Sequence, residues 1–251
     1  MFNRIIAYGF FTFVGITSIV FYLVAVLVRL VTYPFDKRLR LLHLFTCFWA
    51  SLYTWIMPPW RIRVEGRGKI RKNATYMVVS NHQSQLDILV AFRLFFHFKW
   101  VSKVEIFKVP LIGWNMTLNR YIRLKRGDRE SIERMMKDCE ERIDEGSSVF
   151  FFPEGTRSPD GTVKDFKPGA FQIAKKKKIP ILPIVITGTH KALPKYSINF
   201  HGVQNILVKV FDEIPHRVFE NLSIEETVGM VRSMIIENLN IMNKSIEGAR
   251  P

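Results

Sequence analysis

Two long uncharged runs open the chain, and behind them apolar residues recur in short blocks at alternating strand and helix spacing. Residues 5–28 carry no charge. As a helix they would extend about 36 Å, enough to cross a hydrocarbon core of about 30 Å. A second uncharged run, 41–60, follows the polar bend Thr32-Tyr33-Pro34-Phe35-Asp36-Lys37-Arg38. Polar or small residues at helical spacing mark one side of it: Arg40, His43, Cys47, Ala50 or Ser51, and Thr54. Its other faces are Leu, Phe, Trp, Tyr and Ile. The pattern predicts two paired helices embedded in lipid, with Trp49, Trp55 and Trp60 as interfacial anchors. Lys37, Arg38 and Arg40 at the bend prefer the cytoplasmic face, where a basic downstream domain also belongs, so half-insertion into one leaflet is favoured over a full crossing. A cleaved signal peptide would have a shorter apolar region and a small-residue cleavage site. A buried hairpin of a soluble domain is the competing reading.

Pro58-Pro59 ends this section. Beyond it, strand-like blocks are predicted at 61–65, 75–80, 99–102, 121–124, 147–152, 181–187 and 205–211. Helices are expected at 84–96, in parts of 103–118 with breaks at Pro110 and Gly113, and at 169–177. Asp128 caps another, with Ile132, Met135, Met136, Cys139 and Ile143 turned inward and Gly146 past its end. Ser223 and Glu226 form a capping box for the last helix, whose stripe is Ile224, Val228, Val231, Ile235 and Leu239. Strands alternating with helices imply an α/β fold, a largely parallel mixed sheet flanked by helices and preceded by the membrane-embedded two-helix motif. The expected division is 1–60 for the helix pair and 61–251 for the α/β domain.

Charge changes the picture of the partners. The 251 residues carry a net charge of +15, of which residues 1–60 supply five basic residues and one acid, leaving +11 on the remainder. Such a field suits an anionic membrane surface or acidic substrates and carriers. It would suit nucleic acid too, but no recognition module accompanies it, and none is expected as a partner. A hydrophobic content of 48% argues against disorder. Cys47 and Cys139 fit no disulfide or metal spacing, which points to a reducing, cytosol-facing environment. The Lys175–Lys178 run reads either as a solvated helix end or as a contact for anionic headgroups.

Two stretches carry chemistry. In Asn81-His82-Gln83-Ser84-Gln85-Leu86-Asp87, just after a strand, His82 is suited to general-base work and Asp87 to holding its tautomer. The same residues also fit an ordinary capped helix start. In Phe152-Pro153-Glu154-Gly155-Thr156-Arg157-Ser158, leaving another strand, Gly155 permits close backbone approach. Thr156 and Ser158 bring hydroxyls, and Arg157 offers a planar fork for phosphate. Glu154 would orient Arg157 or bond a substrate hydroxyl; a turn with a surface ion pair is the plain alternative. His43 reads as a packing residue, and His97, His190, His201 and His216 as surface or loop residues. No metal-ligand spacing and no Gly-x-x-x-x-Gly-Lys loop occurs, so no metal and no cofactor are expected.

Together the two motifs resemble those of the glycerolipid acyltransferases, in particular the 1-acylglycerol-3-phosphate acyltransferase family. Gly113-Trp114 followed by Arg126 resembles that family's second block, and Ile179-Pro180-Ile181-Leu182-Pro183 its fourth, so the likeness covers roughly residues 75–190. By this resemblance His82 is the general base and Asp87 its orienting partner. Arg126, Glu154, Gly155, Thr156 and Arg157 form the acceptor site, the two arginines holding phosphate, and Lys103 assists the phosphate or the oxyanion. The implied reaction moves a fatty acyl group from an acyl thioester, on coenzyme A or acyl carrier protein, to the sn-2 hydroxyl of 1-acylglycerol 3-phosphate. It gives phosphatidic acid without an acyl-enzyme. Membrane lipids, the lysophospholipid acceptor and the anionic donor are the implied partners, and the cytoplasmic face of a cell membrane the location. The chain departs from the pattern at Arg120, where a glycine is common, and at Lys125, where an acid is common. Both put the acceptor in question, so glycerol 3-phosphate or another lysolipid stays open, with lipid hydrolysis and a non-catalytic membrane module as the other classes.

Overall fold

A computed structural model describes residues 2–195 and 202–248, with side chains from 7 to 195 and 202 to 246. Two helices come first, α1 (Phe2–Thr32) and α2 (Arg40–Trp55). The strands are β1 (Trp60–Glu65), β2 (Met77–Ser80), β3 (Phe98–Lys103), β4 (Ile122–Leu124), β5 (Ser148–Phe151), β6 (Ile181–Thr187) and β7 (Gln204–Val210). Between and after them run α3 (Leu86–Phe92), α4 (Ile112–Leu118), α5 (Arg129–Asp144), α6 (Gly169–Lys176), α7 (Thr189–Ala192), α8 (His216–Phe219) and α9 (Ile224–Gly248).

The strands form one sheet in the order β1-β7-β6-β2-β5-β3-β4. All neighbours run parallel except β6 and β7, so the largely parallel mixed sheet expected from the alternation is what forms. Period-two side-chain alternation explains the near-continuous apolar strands, because both sheet faces are covered. Tyr76, Val78, Phe98, Trp100 and Phe150 face a core shared with α2 and α3, whereas Met77, Val79, Val149 and Phe151 face α5, α6 and α9.

Local signals account for most helix ends. The Asp128 carboxylate accepts the Ser131 amide at the start of α5, and Gly146 follows its end at φ +79°. The Ser223 hydroxyl and the Glu226 carboxylate satisfy each other's amides before α9. Other expectations needed tertiary context. The predicted 84–96 helix is only Leu86–Phe92, and the chain turns away at Phe95 with φ +51°. Gly113 lies inside α4, the break falling instead at Leu111 with φ +63°. Ile132 is exposed, since α5 buries only the narrower stripe of Met135, Cys139 and Ile143. In the lysine run, Lys176 pairs with Glu140 and Lys177 with Asp144 of α5, as a solvated helix end would.

Of the two N-terminal helices, α1 alone is long and apolar enough to cross a membrane, over Ala7–Thr32, and few of its side chains are buried. α2 is largely covered by the body. The polar stripe read from the sequence is buried at His43, Cys47, Ala50, Ser51 and Thr54, with Thr46 added to it, while Arg40 is exposed. His43 bonds the Tyr121 hydroxyl and the Phe96 carbonyl. Trp49 and Trp60 are packed inside and are not interfacial anchors, while Trp55 stays exposed. A helix whose polar groups find partners in the sheet domain packs there more favourably than in lipid, where those groups would go unmet.

Candidate active site

Five neighbouring strands, β6, β2, β5, β3 and β4, run parallel and end on one edge of the sheet. Ligands in open α/β sheets bind outside such carboxyl ends. Thr189 follows β6 there, His82 and Asp87 follow β2, Glu154 to Arg157 follow β5, Lys103 ends β3 and Arg126 follows β4. The pairing of Val79 with Phe151 sets the two motifs side by side as they leave the sheet.

His82 Nδ1 donates to Asp87 Oδ2 at 2.8 Å. The same oxygen accepts the amides of Gln83 at 2.6 Å and Ser84 at 2.8 Å, and Oδ1 accepts the Thr189 hydroxyl. Asp87 is fully buried and His82 only 8% exposed. Accepting from Nδ1, the carboxylate fixes the imidazole tautomer, so the ring's other nitrogen, Nε2, is the one able to accept a proton. The ring stacks on Phe152, 4.0 Å between centroids and 12° between planes, which sets its orientation.

The two motifs are also tied through their backbones. Glu154 Oε1 accepts the His82 amide at 2.7 Å and Oε2 the Lys164 amide at 3.1 Å, while the His82 carbonyl accepts the Ser158 amide at 2.8 Å. Burial pushes the Glu154 carboxyl up to about 7, against the pull of its two amide donors. The Asn81 amide side chain exchanges a pair of hydrogen bonds with the backbone of Ile186 in β6, at 2.8 and 2.9 Å. The loop bearing His82 is therefore pinned on both sides.

Not every residue read from the motifs converges equally. Glu154 serves as a clamp on the His82 loop, with both carboxylate oxygens taken by backbone amides, and does not orient Arg157. Gly155 takes φ +68°, and a Cβ there would come 3.1 Å from the Lys167 side chain. Thr156 is half-buried in the same turn. The Arg157 carbonyl accepts from Lys195 at 3.0 Å, and its guanidinium makes no ion pair with a described residue. Burial lowers the Arg126 guanidinium below its ordinary value; Glu105 works against this and the like charge of Arg157 adds to it. The two arginines thus stand within electrostatic reach of each other. Lys103 pairs with Glu105 at 3.2 Å.

Several participants escaped the sequence reading. Thr189 is one, although a Thr-Gly-Thr at the end of a buried strand marks the correct edge. His190 is another: it is half-buried, its Nδ1 lies 3.1 Å from Gln83 Oε1, and burial lowers its basicity. His97 is likewise no plain surface residue, contacting the Ser147 hydroxyl at 2.9 Å and pushed down to about 3 by burial. His216 lies 3.6 Å from Glu220, and His201 lies outside the described residues. Among the described residues no group of three or more His, Cys, Asp or Glu is arranged to hold a metal ion.

A buried His–Asp pair beside an arginine-bearing turn, at the carboxyl edge of a parallel sheet, defines a class that the comparisons name. Residues 61–187 match the Acyltransferase family model, and the chain belongs to that family. It is similar to the chloroplastic 1-acyl-sn-glycerol-3-phosphate acyltransferase of Arabidopsis thaliana, 38% identical over 82% of this chain and 57% of that protein. With the enzyme of the same description from Limnanthes douglasii it shares 32% identity over 94% of this chain and 82% of the other. Against two of the curated relatives, from Arabidopsis and Brassica napus, the chain spans 57% and 65% of their length. The crystal structure of a 1-acyl-sn-glycerophosphate acyltransferase from Thermotoga maritima has the same fold, with a TM-score of 0.77, 24% identity and 99% of each chain covered.

Proposed function

We propose that this protein transfers a fatty acyl group from an acyl thioester to the sn-2 hydroxyl of 1-acylglycerol 3-phosphate, giving phosphatidic acid. The observation that carries the reading is the His82–Asp87 pair, joined through Nδ1 and set one strand away from the Arg157 turn. His82 Nε2 takes the hydroxyl proton as the oxygen attacks the thioester carbonyl. Asp87 stabilises the imidazolium that forms. The tetrahedral oxyanion then collapses, the carbon–sulfur bond breaks, and the imidazolium returns its proton to the departing thiolate. Arg126 and Arg157 hold the acceptor phosphate, with Lys103 at the rim, and the donor is an acyl thioester of coenzyme A or acyl carrier protein.

Transfer is direct. The Ser84 hydroxyl donates to the Leu193 carbonyl at 2.6 Å and that of Ser158 to Asp160 at 2.6 Å, so neither is presented to His82 as a nucleophile. An acylated Ser84 or Ser158 trapped from a quenched reaction would refute this.

Residues 1–60 carry the membrane part and 61–251 the catalytic domain, held on the cytoplasmic face with α1 inserted into one leaflet and α2 packed between α1 and the sheet domain. Partial insertion is supported by the company α1 keeps. Phe10 packs on Trp60 and Tyr22 on Trp114, ring centroids 5.7 and 5.5 Å apart. These contacts are separated by about 18 Å of helix. A perpendicular crossing would drag the start of β1 and all of α4 into hydrocarbon.

The test is an assay of the purified chain in vesicles, crossing several lysolipid acceptors and glycerol 3-phosphate with both donor types. Phosphatidic acid made from 1-acylglycerol 3-phosphate is the expected product. Free fatty acid alone, or acylation of a different acceptor only, would overturn the reading.

A further inference from the structure

The segment between β3 and α4 closes on itself unusually tightly. A Cβ at Gly113 would lie 2.3 Å from the Phe107 carbonyl oxygen, so only glycine lets the chain fold back here. Leu111 sits at φ +63°, ψ −54°, a strained conformation for a branched side chain. The consequence is an outward-facing apolar tip: Val109 is 40% exposed, Ile112 43% and Trp114 48%. Among the described residues the Tyr22 ring packs against Trp114 at the edge of this tip.

Two features say what the tip meets. Through Tyr22 it adjoins the apolar flank of α1, where Ile19 and Leu23 stand 52% and 64% exposed. The flanking sequence is basic: residues 103–126 hold six basic residues (Lys103, Lys108, Arg120, Arg123, Lys125, Arg126) and one acid, Glu105. While Lys103, Arg120 and Lys125 pair with Glu105, Glu145 and Asp128, Lys108, Arg123 and Arg126 remain in excess. Arg123 also lies over the Phe107 ring, 4.9 Å from its centroid. An apolar tip with an amphipathic Trp at its edge and a basic surround is what an anionic lipid surface accepts.

We infer that the Val109–Trp114 tip is a membrane contact separate from the N-terminal helices, inserting into an anionic leaflet beside α1. This rests on the membrane reading of α1 given above. Since Lys103 precedes the tip and Arg126 follows β4, the contact sets the rim of the candidate active site at headgroup depth, where a lysolipid carries its phosphate.

Nitroxide labels test it in the full chain. Cysteine is introduced at Ile112→Cys, at Val20→Cys as the lipid reference and at Lys137→Cys, exposed on α5, as the water reference; natural Cys47 and Cys139 are buried. Val109→Cys repeats the measurement should Ile112→Cys fail to fold. Collision with oxygen against a water-soluble nickel chelate reports depth, in vesicles of phosphatidylcholine alone and of phosphatidylcholine with phosphatidylglycerol. Labels at 112 and 20 both shielded from the chelate, 112 more so in the anionic vesicles, is the expected result. A shielded position 20 with a water-exposed 112 overturns this inference and leaves the membrane reading of α1 intact. Exposure of both labels overturns the two together, and equal shielding of 112 in neutral vesicles overturns the anionic preference.

Discussion

His82 can accept a proton at Nε2 only because its other nitrogen is committed to Asp87, and Asp87 is held by donors from two elements. Replacing His82 with Ala should cut kcat by about 10²- to 10⁴-fold, the usual contribution of a positioned general base. The circular dichroism spectrum should stay unchanged; substantial residual transfer in steady-state assays would show that the base lies elsewhere. Thr189→Val keeps the shape of the side chain and removes a buried donor to a charged oxygen. A stability loss of about 1.5–3 kcal/mol is expected by denaturant titration, with kcat falling more than KM changes. Glu154 makes a claim about pH. Its folded-state carboxyl, raised to about 7, binds more protons than the unfolded chain between the ordinary carboxylate range and neutrality. Stability should therefore fall as pH rises through roughly 4.5 to 7. Glu154→Gln removes that slope, so melting curves of the two proteins across this window should converge in shape only above it. Parallel pH profiles would refute the assignment.

Elements matter here through their ends. Asp128 accepts the Ser131 amide at a half-buried helix start, and Asp128→Ala should destabilise the protein modestly. Gly188 is a different matter, although it too begins a helix. It sits at φ +87°, and a Cβ would meet the Asn205 carbonyl oxygen at 2.1 Å. Gly188→Ala must displace either β7 or the turn that delivers Thr189, so it should destabilise well beyond the cap variant and lower activity as well. Thermal unfolding and initial rates of the two variants make the comparison; a Gly188→Ala protein as stable as Asp128→Ala would mean that the turn relaxes freely. Caps of this kind are local, and Asp128, Ser223 and Glu226 were legible from spacing alone. The end of α3 and the break at Leu111 were not. Both residues that turn the chain, Phe95 and Leu111, adopt positive φ without being glycine, and only packing around them makes that tolerable.

At the scale of the whole molecule, charge and apolar surface act together. Binding to anionic vesicles should weaken as salt rises, because exposed charges are screened beyond about 10 Å at 0.1 M. Sedimentation with phosphatidylglycerol-containing vesicles over a salt series measures this; salt-independent binding would leave apolar insertion alone as the driving force. The covered polar stripe of α2 limits how much of the N-terminal section can be in lipid. Lys99 adds a further tie: buried, with its basicity pulled down to about 7, it donates to the Arg38 carbonyl of the bend and to the Asn119 carbonyl after α4.

By itself the sequence determined the element types, the largely parallel sheet, the apolar first helix and the two motif-bearing turns. These follow from short-range rules: side-chain period, capping residues and charge-free length. Only the tertiary structure decided that α2, while packed on α1, is also joined to the core, and that Glu154 clamps the His82 loop. It alone brought Thr189, 102 residues away from Asp87, onto its carboxylate. The reason is common to all three. Each depends on which strands become neighbours, and β2 lies between β5 and β6, partners far along the chain whose pairing no local pattern encodes.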